Sequence, residues 1–446
     1  MFQGGADLYG RLLERNNIKG AHYMQKSFNE KKLFEYSQTA YQKKIYRVGT
    51  RVSHFVSYGH SNCTVIEGDT SLILVDALDT DTRAEHLKSI LEETTGKAVK
   101  TIIFTHGHLD HRGGSGAFRD TAEEVIAFAP RKPLLKYTEK IADELGNRGK
   151  KQFGYALSDE ELITQGLGIR EGHTCDEGKY DFLPPTTVYT EEIVERVIDG
   201  VPLRLVSASG ETEDQIFVWL PEDKVLCCGD NYYACWPNLY AIRGGQYRDV
   251  AAWLDSLECI LSYPAEALLP GHTAPIFGRE KILEVLGCYK EAIESIFFQT
   301  LGCIAKGMTI NEAAESVALP EHLVSKPFLG EFYGAVMWSA KAIYQGYIGW
   351  FDGNPTNLNP LSDKAYAVKM IELIGGQSKV ISTIEKAISD SEFQWALQLC
   401  DLIISVDKYS TTVRNLKAKS LLAFSKQVTW SNGRHYYLAC AKELEG

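Results

Sequence analysis

The chain has 446 residues, 44% of them hydrophobic and 24% charged, with a formal net charge of −11. This is the composition of a globular protein of two domains, or three, with a sizeable buried core. The acidic balance argues against a nucleic-acid partner, which calls for basic patches facing phosphates, and ten scattered cysteines do not read as a disulfide framework.

Up to about residue 45 the pattern is amphipathic and charged, which predicts an arm or a helix laid on a neighbour. Met1 to Gly20 is broken by Asp7, Arg11, Glu14 and Arg15, and no run of 18 apolar residues occurs anywhere. The expectation is a cytoplasmic chain without membrane insertion, or a periplasmic or secreted one if a signal has been removed. From Tyr46 to about Phe277 short apolar strands alternate with helices. Strands are expected at Ser71 to Val75, Val99 to Phe104, Val201 to Val206, Ile216 to Leu220, Val225 to Cys228 and Ala267 to Leu269. Helical spacing marks Arg83 to Glu93 and Val250 to Leu261, and the mixture predicts a layered α/β sandwich. After Arg279 apolar positions recur every three or four residues, in segments beginning at Ile282, Glu331, Lys364, Val380, Glu392 and Ser410. That half is expected to be all-α and built from hairpins.

Thr105 to Gly114 reads T-H-G-H-L-D-H-R-G-G, so His106, His108, Asp110 and His111 fall within six positions, directly after a predicted strand. Only eleven histidines occur in the whole chain, so a polar loop that is histidine-rich by chance accounts poorly for three of them here. Neutral imidazole with carboxylate suits zinc, or a neighbouring transition ion, better than calcium or magnesium. His106 and His108 alternate on one side of an extended segment while Asp110 and His111 come from the turn beyond it, which points to two ions. Further ligands should then lie at later strand ends. Glu211, Asp230 and His272 each follow a predicted strand. Singly, each would read as an ordinary turn residue, but together they supply the missing charge. Asp230 is expected to bridge the ions, with an activated water between them whose pKa approaches 7. No serine or cysteine nucleophile is required, and Cys227 and Cys228 read as buried thiols.

The turn resembles the H-x-H-x-D-H signature of the metallo-β-lactamase fold, and Gly229-Asp230 and Pro270-Gly271-His272 resemble that superfamily's later ligand positions. Glu211, standing where most members place a third histidine, is similar to the alkyl sulfatase branch. Pro221 to Asn231, Asn238-Leu239-Tyr240, Ile242-Arg243-Gly244 and Arg248-Asp249 resemble the central block of that family. Glu331 to Gly334, Gly346 to Pro355 and Asn432-Gly433-Arg434 resemble its helical dimerisation domain. The resemblance implies an αββα sandwich followed by an all-α dimerisation domain, with segments 1–45 (arm), 46–277 (catalytic) and 278–446 (helical). It also implies that the chain lacks the sterol-carrier-like third domain of some relatives.

By position, the resemblance gives His106, His108 and Glu211 to one zinc and Asp110, His111 and His272 to the other, with Asp230 bridging. Asp110, Asp230 and Arg243 would be catalytic, Arg243 offering its guanidinium to the sulfate. Asn231, Asn238 and Tyr240 would line the substrate pocket. The implied function is a dinuclear zinc hydrolase cleaving alkyl or aryl sulfate esters to alcohol and inorganic sulfate, working as a homodimer through its helical half. One departure stands out: where the family shows histidines near the sulfate, this chain has Tyr232-Tyr233-Ala234-Cys235-Trp236-Pro237. That exchange keeps open a hydrolase of another ester (phosphoester, lactone or thioester). Weaker alternatives are a di-iron redox protein and a non-catalytic assembly protein.

Overall fold

The computed structural model describes residues 26–445. Residues 1–25 of the expected arm therefore lie outside the described residues, and the remainder of that segment forms a helix, Phe28–Ala40, and the first strand. The chain divides into two compact units. Among the described residues, one contains Ser37–Gly149 and Thr164–Asn359, the other residues 26–36, Lys150–Ile163 and 360–445.

The first unit is built on two sheets. One holds, in spatial order, β1 (Lys44–Val48), β2 (Val52–Val56), β3 (Cys63–Glu67), β4 (Leu72–Val75), β5 (Val99–Ile103), β6 (Glu124–Phe128) and β7 (Thr187–Tyr189). Strands β1 to β4 run antiparallel to their neighbours, and β4 to β7 are parallel. The second holds β8 (Ile193–Ile198), β9 (Val201–Ser207), β10 (Ile216–Leu220), β11 (Val225–Gly229), β12 (Ala267–Pro270) and β13 (Ile276–Phe277), with β11 and β12 parallel. Fully buried strands such as β4 (LILV) and β10 (IFVWL) read as continuous apolar runs because both of their faces are covered.

Three cores show the layering. Ile73, Val75, Ile103 and Ile126 of the first sheet pack with Leu205, Ile216, Val218, Val225 and Leu269 of the second, so the sheets lie face to face. On the outer side of the first sheet, Leu72, Leu74 and Ile102 meet Ala84, Leu87 and Leu91 of the helix Asp81–Thr95. On the outer side of the second, Phe217, Leu226 and Leu268 meet Trp253 and Leu257 of the helix Val250–Ser262, and Leu286 and Ile293 of the helix Arg279–Ala305. The arrangement is the αββα sandwich. Residue 278, the expected start of the helical segment, lies inside this unit, because Arg279–Ala305 and Val336–Ile348 bury their apolar faces in the same core as the second sheet.

The second unit is helical. Helices Asp363–Ile374, Gln377–Ser389, Phe393–Val406 and Thr411–Ser425 share a core of Ile371, Val380, Ile384, Leu399, Ile403 and Val413. The helix Ser431–Glu445 carries the buried Arg434, whose guanidinium pairs with Glu30 of the helix Phe28–Ala40 at 2.9 Å. No helix among the described residues is long and apolar enough to cross a membrane.

Candidate metal centre

Parallel strands end on the same edge of a sheet, and here the ends of β4, β5, β11 and β12 deliver side chains to one place. Beyond β5 the chain turns through the short helix Leu109–Arg112 and brings His106, His108, Asp110 and His111 together. Asp230 follows β11 and His272 follows β12, whose parallel pairing sets Gly229 beside Pro270. Glu211 lies in the connection from β9 to β10. Two glycines permit the approach. Gly229 adopts φ +51°, a left-handed conformation that side chains resist. At Gly271 an added Cβ would lie 2.3 Å from Oδ1 of Asp230 and 2.7 Å from Cε1 of His111. Gly271→Ala is therefore expected to displace the Asp230 carboxylate and to destabilise the fold by about 1–3 kcal/mol, as overpacked sites do. Chemical denaturation and metal titration of the same variant check both effects.

The seven expected ligands converge. His111 Nε2 lies 3.3 Å from His272 Nε2, 3.5 Å from Asp110 Oδ2 and 3.4 Å from Asp230 Oδ2. His272 Nε2 lies 3.2 Å from Asp110 Oδ2 and 3.4 Å from Asp230 Oδ2. Beside this quartet, His106 Nε2 is 3.0 Å from His108 Nδ1 and 3.7 Å from Asp230 Oδ2, and His108 Nδ1 is 3.5 Å from Glu211 Oε2. Donors placed tetrahedrally 2.0–2.1 Å from a zinc ion stand about 3.3–3.4 Å from one another. The observed spacings fit two such donor sets meeting at Asp230 Oδ2. The other oxygen of that carboxylate, Oδ1, is buried with no hydrogen-bond partner among the described residues.

Outer partners set the tautomers. Asp76, at the end of β4, accepts from the backbone N–H of Thr105 at 2.8 Å, the Thr105 hydroxyl at 2.8 Å and His111 Nδ1 at 2.7 Å. With its proton committed to Asp76, Thr105 Oγ1 accepts from His106 Nδ1 at 3.0 Å. His272 Nδ1 donates to the carbonyl of His60 at 3.1 Å. Three imidazoles are thus left with bare Nε2 atoms facing the centre, the form a divalent cation needs.

The electrostatics place protons where an ion would otherwise stand. Burial pushes His106 and His108 down, helped by His111 for the first and by His106 and the arginines Arg248 and Arg243 for the second. Burial would also lower His272, but Asp230 and Asp110 outweigh it and raise the ring to about 10. Burial opposes ionisation of Asp110 and Asp230, yet the surrounding imidazoles hold both well below the usual carboxylate range. Without an ion the cluster has to hold protons as its cations. Carboxylates facing bare imidazole nitrogens are a donor set for divalent metal.

Glu211 is gripped from the far side. Its Oε1 accepts from Tyr233 Oη at 2.7 Å and from Arg248 Nη1 at 3.0 Å, which leaves Oε2 toward His108. The clamp is itself anchored: the backbone N–H of Asn238 donates to Tyr233 Oη at 2.7 Å, and Arg248 donates to the Asn238 carbonyl. The unusual segment 232–237 is otherwise packing. Tyr232 sits edge-on to Tyr289, and buried Trp236 donates from Nε1 to Ser339 Oγ at 3.0 Å. From this segment Tyr233 bonds to Glu211, one of the seven expected ligands.

A cleft of about 230 Å³ opens beside the centre, lined by His108, Glu211, Tyr240, Arg243, Arg248 and neighbours. Arg243 and Tyr240 therefore share a space with His108 and Glu211. Asn231 and Asn238 do not line it. Asn231 is fully buried, accepting from Gln215 Nε2 at 2.7 Å and donating to the Ala208 carbonyl at 3.1 Å, and it serves as scaffold for the loop that carries Glu211. Asn238 acts through its backbone, as above. Sequence reasoning passed over Asp76, His60, Tyr233 and Arg248 as site residues. Of these only Asp76, an acidic residue closing an apolar strand, carries a local signal of the kind that marked Asp230.

A sandwich of this form with an H-x-H-x-D-H turn on its strand ends defines the metallo-beta-lactamase superfamily, whose model matches residues 56–272. A second model, alkyl sulfatase dimerisation, matches residues 309–446. The chain is 33% identical over 391 residues to a linear primary-alkylsulfatase of Pseudomonas sp., covering 86% of this chain and 74% of that one. It is likewise 33% identical over 400 residues to an alkyl/aryl-sulfatase of Saccharomyces cerevisiae, covering 86% of this chain and 61% of the yeast protein. The structure of the stereoselective inverting sec-alkylsulfatase Pisa1 from Pseudomonas sp. superposes with a TM-score of 0.83 at 24% identity, over 93% of this chain and 67% of that one, and so shares the fold. The chain belongs to the alkylsulfatase family. A 40% identical stretch of 226 residues also links it to the 2,4-dinitroanisole O-demethylase subunit alpha of Nocardioides sp., covering 48% of this chain and 53% of that one.

Proposed function

We propose that this protein hydrolyses sulfate esters to an alcohol and inorganic sulfate, with two zinc ions at the centre and a homodimeric assembly through the region matched by the dimerisation model. The observation that carries the reading is the cleft in which Arg243 stands with the ligand residues His108 and Glu211. A sulfate ester presents a tetrahedral monoanion, and a guanidinium meets it with two parallel N–H donors. Tyr240 lines the same cleft, so an apolar ring is available to the alcohol portion.

His106, His108 and Glu211 would hold one ion and Asp110, His111 and His272 the other, with Asp230 between. When bound, such a pair supplies Lewis acidity toward ester oxygens and a water ionised near neutral pH. The chain's own part is placement. Asp76, Thr105 and the His60 carbonyl hold the imidazoles in one tautomer. Tyr233 and Arg248 hold Glu211, and Arg243 offers the charge that orients the sulfate. The near-complete burial of His106, His111, Asp230 and His272 excludes bulk water from behind the site.

The test is a hydrolysis panel on protein of measured metal content, with short, long and aromatic sulfate esters beside a phosphoester, a lactone, a thioester and a nitroaryl methyl ether. Sulfate ester turnover with two zinc per chain, lost on chelation and restored by zinc, is the expected result. Two bound ions with turnover confined to another ester would overturn it. Turnover confined to the ether would favour the chemistry named for the Nocardioides relative. Hydrolysis in oxygen-18 water identifies the bond broken: label in the alcohol marks carbon–oxygen cleavage, and label in sulfate alone marks sulfur–oxygen cleavage.

A further inference from the structure

His60 stands on the connection between β2 and β3 and is buried beside the second donor set. One of its ring nitrogens, a carboxylate oxygen of Asp110 and a ring nitrogen of His272 all lie within 4.8 Å of one another. Its ring meets that of His272 edge-on, with centroids 5.2 Å apart.

The residue is held at three points. Its backbone N–H donates to Asp79 Oδ1 at 3.1 Å, its carbonyl accepts from His272 Nδ1 at 3.1 Å, and its Nδ1 lies 2.7 Å from the Ile169 carbonyl oxygen. A carbonyl oxygen only accepts, so Nδ1 carries the proton and Nε2 is a bare lone pair. The neighbours in sequence bind the same structure: Ser61 Oγ donates to the carbonyl of Asp110 at 2.7 Å, and the Asn62 backbone N–H to that of Gly271 at 2.7 Å. The segment 60–62 is thus fastened to the metal turn and to the end of β12. A bare ring nitrogen held beside the Asp110 carboxylate and the His272 imidazole is the form in which histidine binds a divalent cation.

We infer that His60 is a further metal ligand, joining Asp110, His111 and His272 at the second ion. This rests on the dinuclear reading above. It makes the second site richer in imidazole than the first, where the anionic Glu211 takes the comparable place, and so gives the two ions unequal environments.

The unmodified protein tests it directly. Every imidazole bound to an ion through one nitrogen carries a proton on the other. The fully cobalt-loaded protein is therefore expected to show five hyperfine-shifted, exchangeable imidazole N–H resonances, from His60, His106, His108, His111 and His272. Four would overturn the inference. His60→Gln and His60→Asn, each compared with the parent in thermal midpoint without metal, should bind the weaker ion about 100-fold less tightly in zinc-chelator competition, at or beyond the upper end of what loss of an outer partner does. Parental affinity for both ions would overturn the inference whatever happens to turnover. A parent protein that binds no second ion would instead overturn the dinuclear reading itself, so the two failures are distinguishable.

Discussion

Asp230→Asn is expected to abolish turnover while leaving the sandwich folded. Asparagine has nearly the same shape, so the packing around β11 survives. What is lost is the negative charge at an oxygen that stands 3.4–3.7 Å from ring nitrogens of His106, His111 and His272. That oxygen is the common vertex of the two donor sets. An amide also brings an N–H₂ group toward bare imidazole lone pairs, and rotating it away aims only a neutral carbonyl at the ions. Metal charge stabilisation is worth several kcal/mol, so the rate should fall by roughly 10³-fold or more. Metal analysis after dialysis should find fewer than two ions per chain. Full activity with two ions retained would remove Asp230 from the centre. Circular dichroism of the variant should match that of the parent, which separates loss of charge from loss of fold.

The second large effect concerns stability, at Arg248. Its side chain is 8% exposed and that of its partner Glu211 is 4% exposed, with the two 3.0 Å apart. Burial works against the Arg248 charge, and Glu211 more than restores it. Replacing the arginine by methionine keeps much of the volume and leaves the Glu211 carboxylate buried with Tyr233 as its remaining donor. Removing one member of a buried pair costs about 3–5 kcal/mol, because the other charge is left uncompensated. Arg248→Met is therefore expected to lower the denaturation midpoint of the metal-free protein sharply. Bound metal should recover part of that loss, since an ion beside Glu211 supplies the missing positive charge. Arg248→Lys should lie between the two: it restores charge but not the planar guanidinium whose Nη1 reaches both Glu211 and the Asn238 carbonyl. Equal midpoints for parent and methionine variant would show that the clamp contributes nothing to folding.

The metal turn could be read from the sequence because its residues are neighbours along the chain. A strand ending at Ile103 followed by a tight turn constrains His106, His108, Asp110 and His111 whatever the rest of the molecule does. Glu211, Asp230 and His272 were legible for a related reason, since each follows an apolar strand, and layered α/β proteins place their chemistry at or just beyond strand ends. The regular elements were legible wherever periodicity was strong. The expected helix Val250 to Leu261 forms as Val250–Ser262, and the expected strand Ile216 to Leu220 forms as written. Strands β1, β2 and β3 had no such signal, because polar residues such as His54 and Thr64 are drawn into buried positions by hydrogen bonds across the sheet.

The sequence by itself determined the class of chemistry, the fold family and the seven candidate ligands, because the motif spacing, the strand ends and the family resemblance mark them. Only the tertiary structure decided which nitrogen of each ring is bare, which oxygen of Glu211 is occupied, and that Asn231 and Asn238 stand outside the lining of the cleft. It alone brought His60 next to Asp110 and His272, across 50 and 212 residues of chain. The physical reason is that a lone pair is directed by whatever holds the opposite side of its ring. Those partners (Asp76, Ile169, the His60 carbonyl) become neighbours only after the sheets have paired.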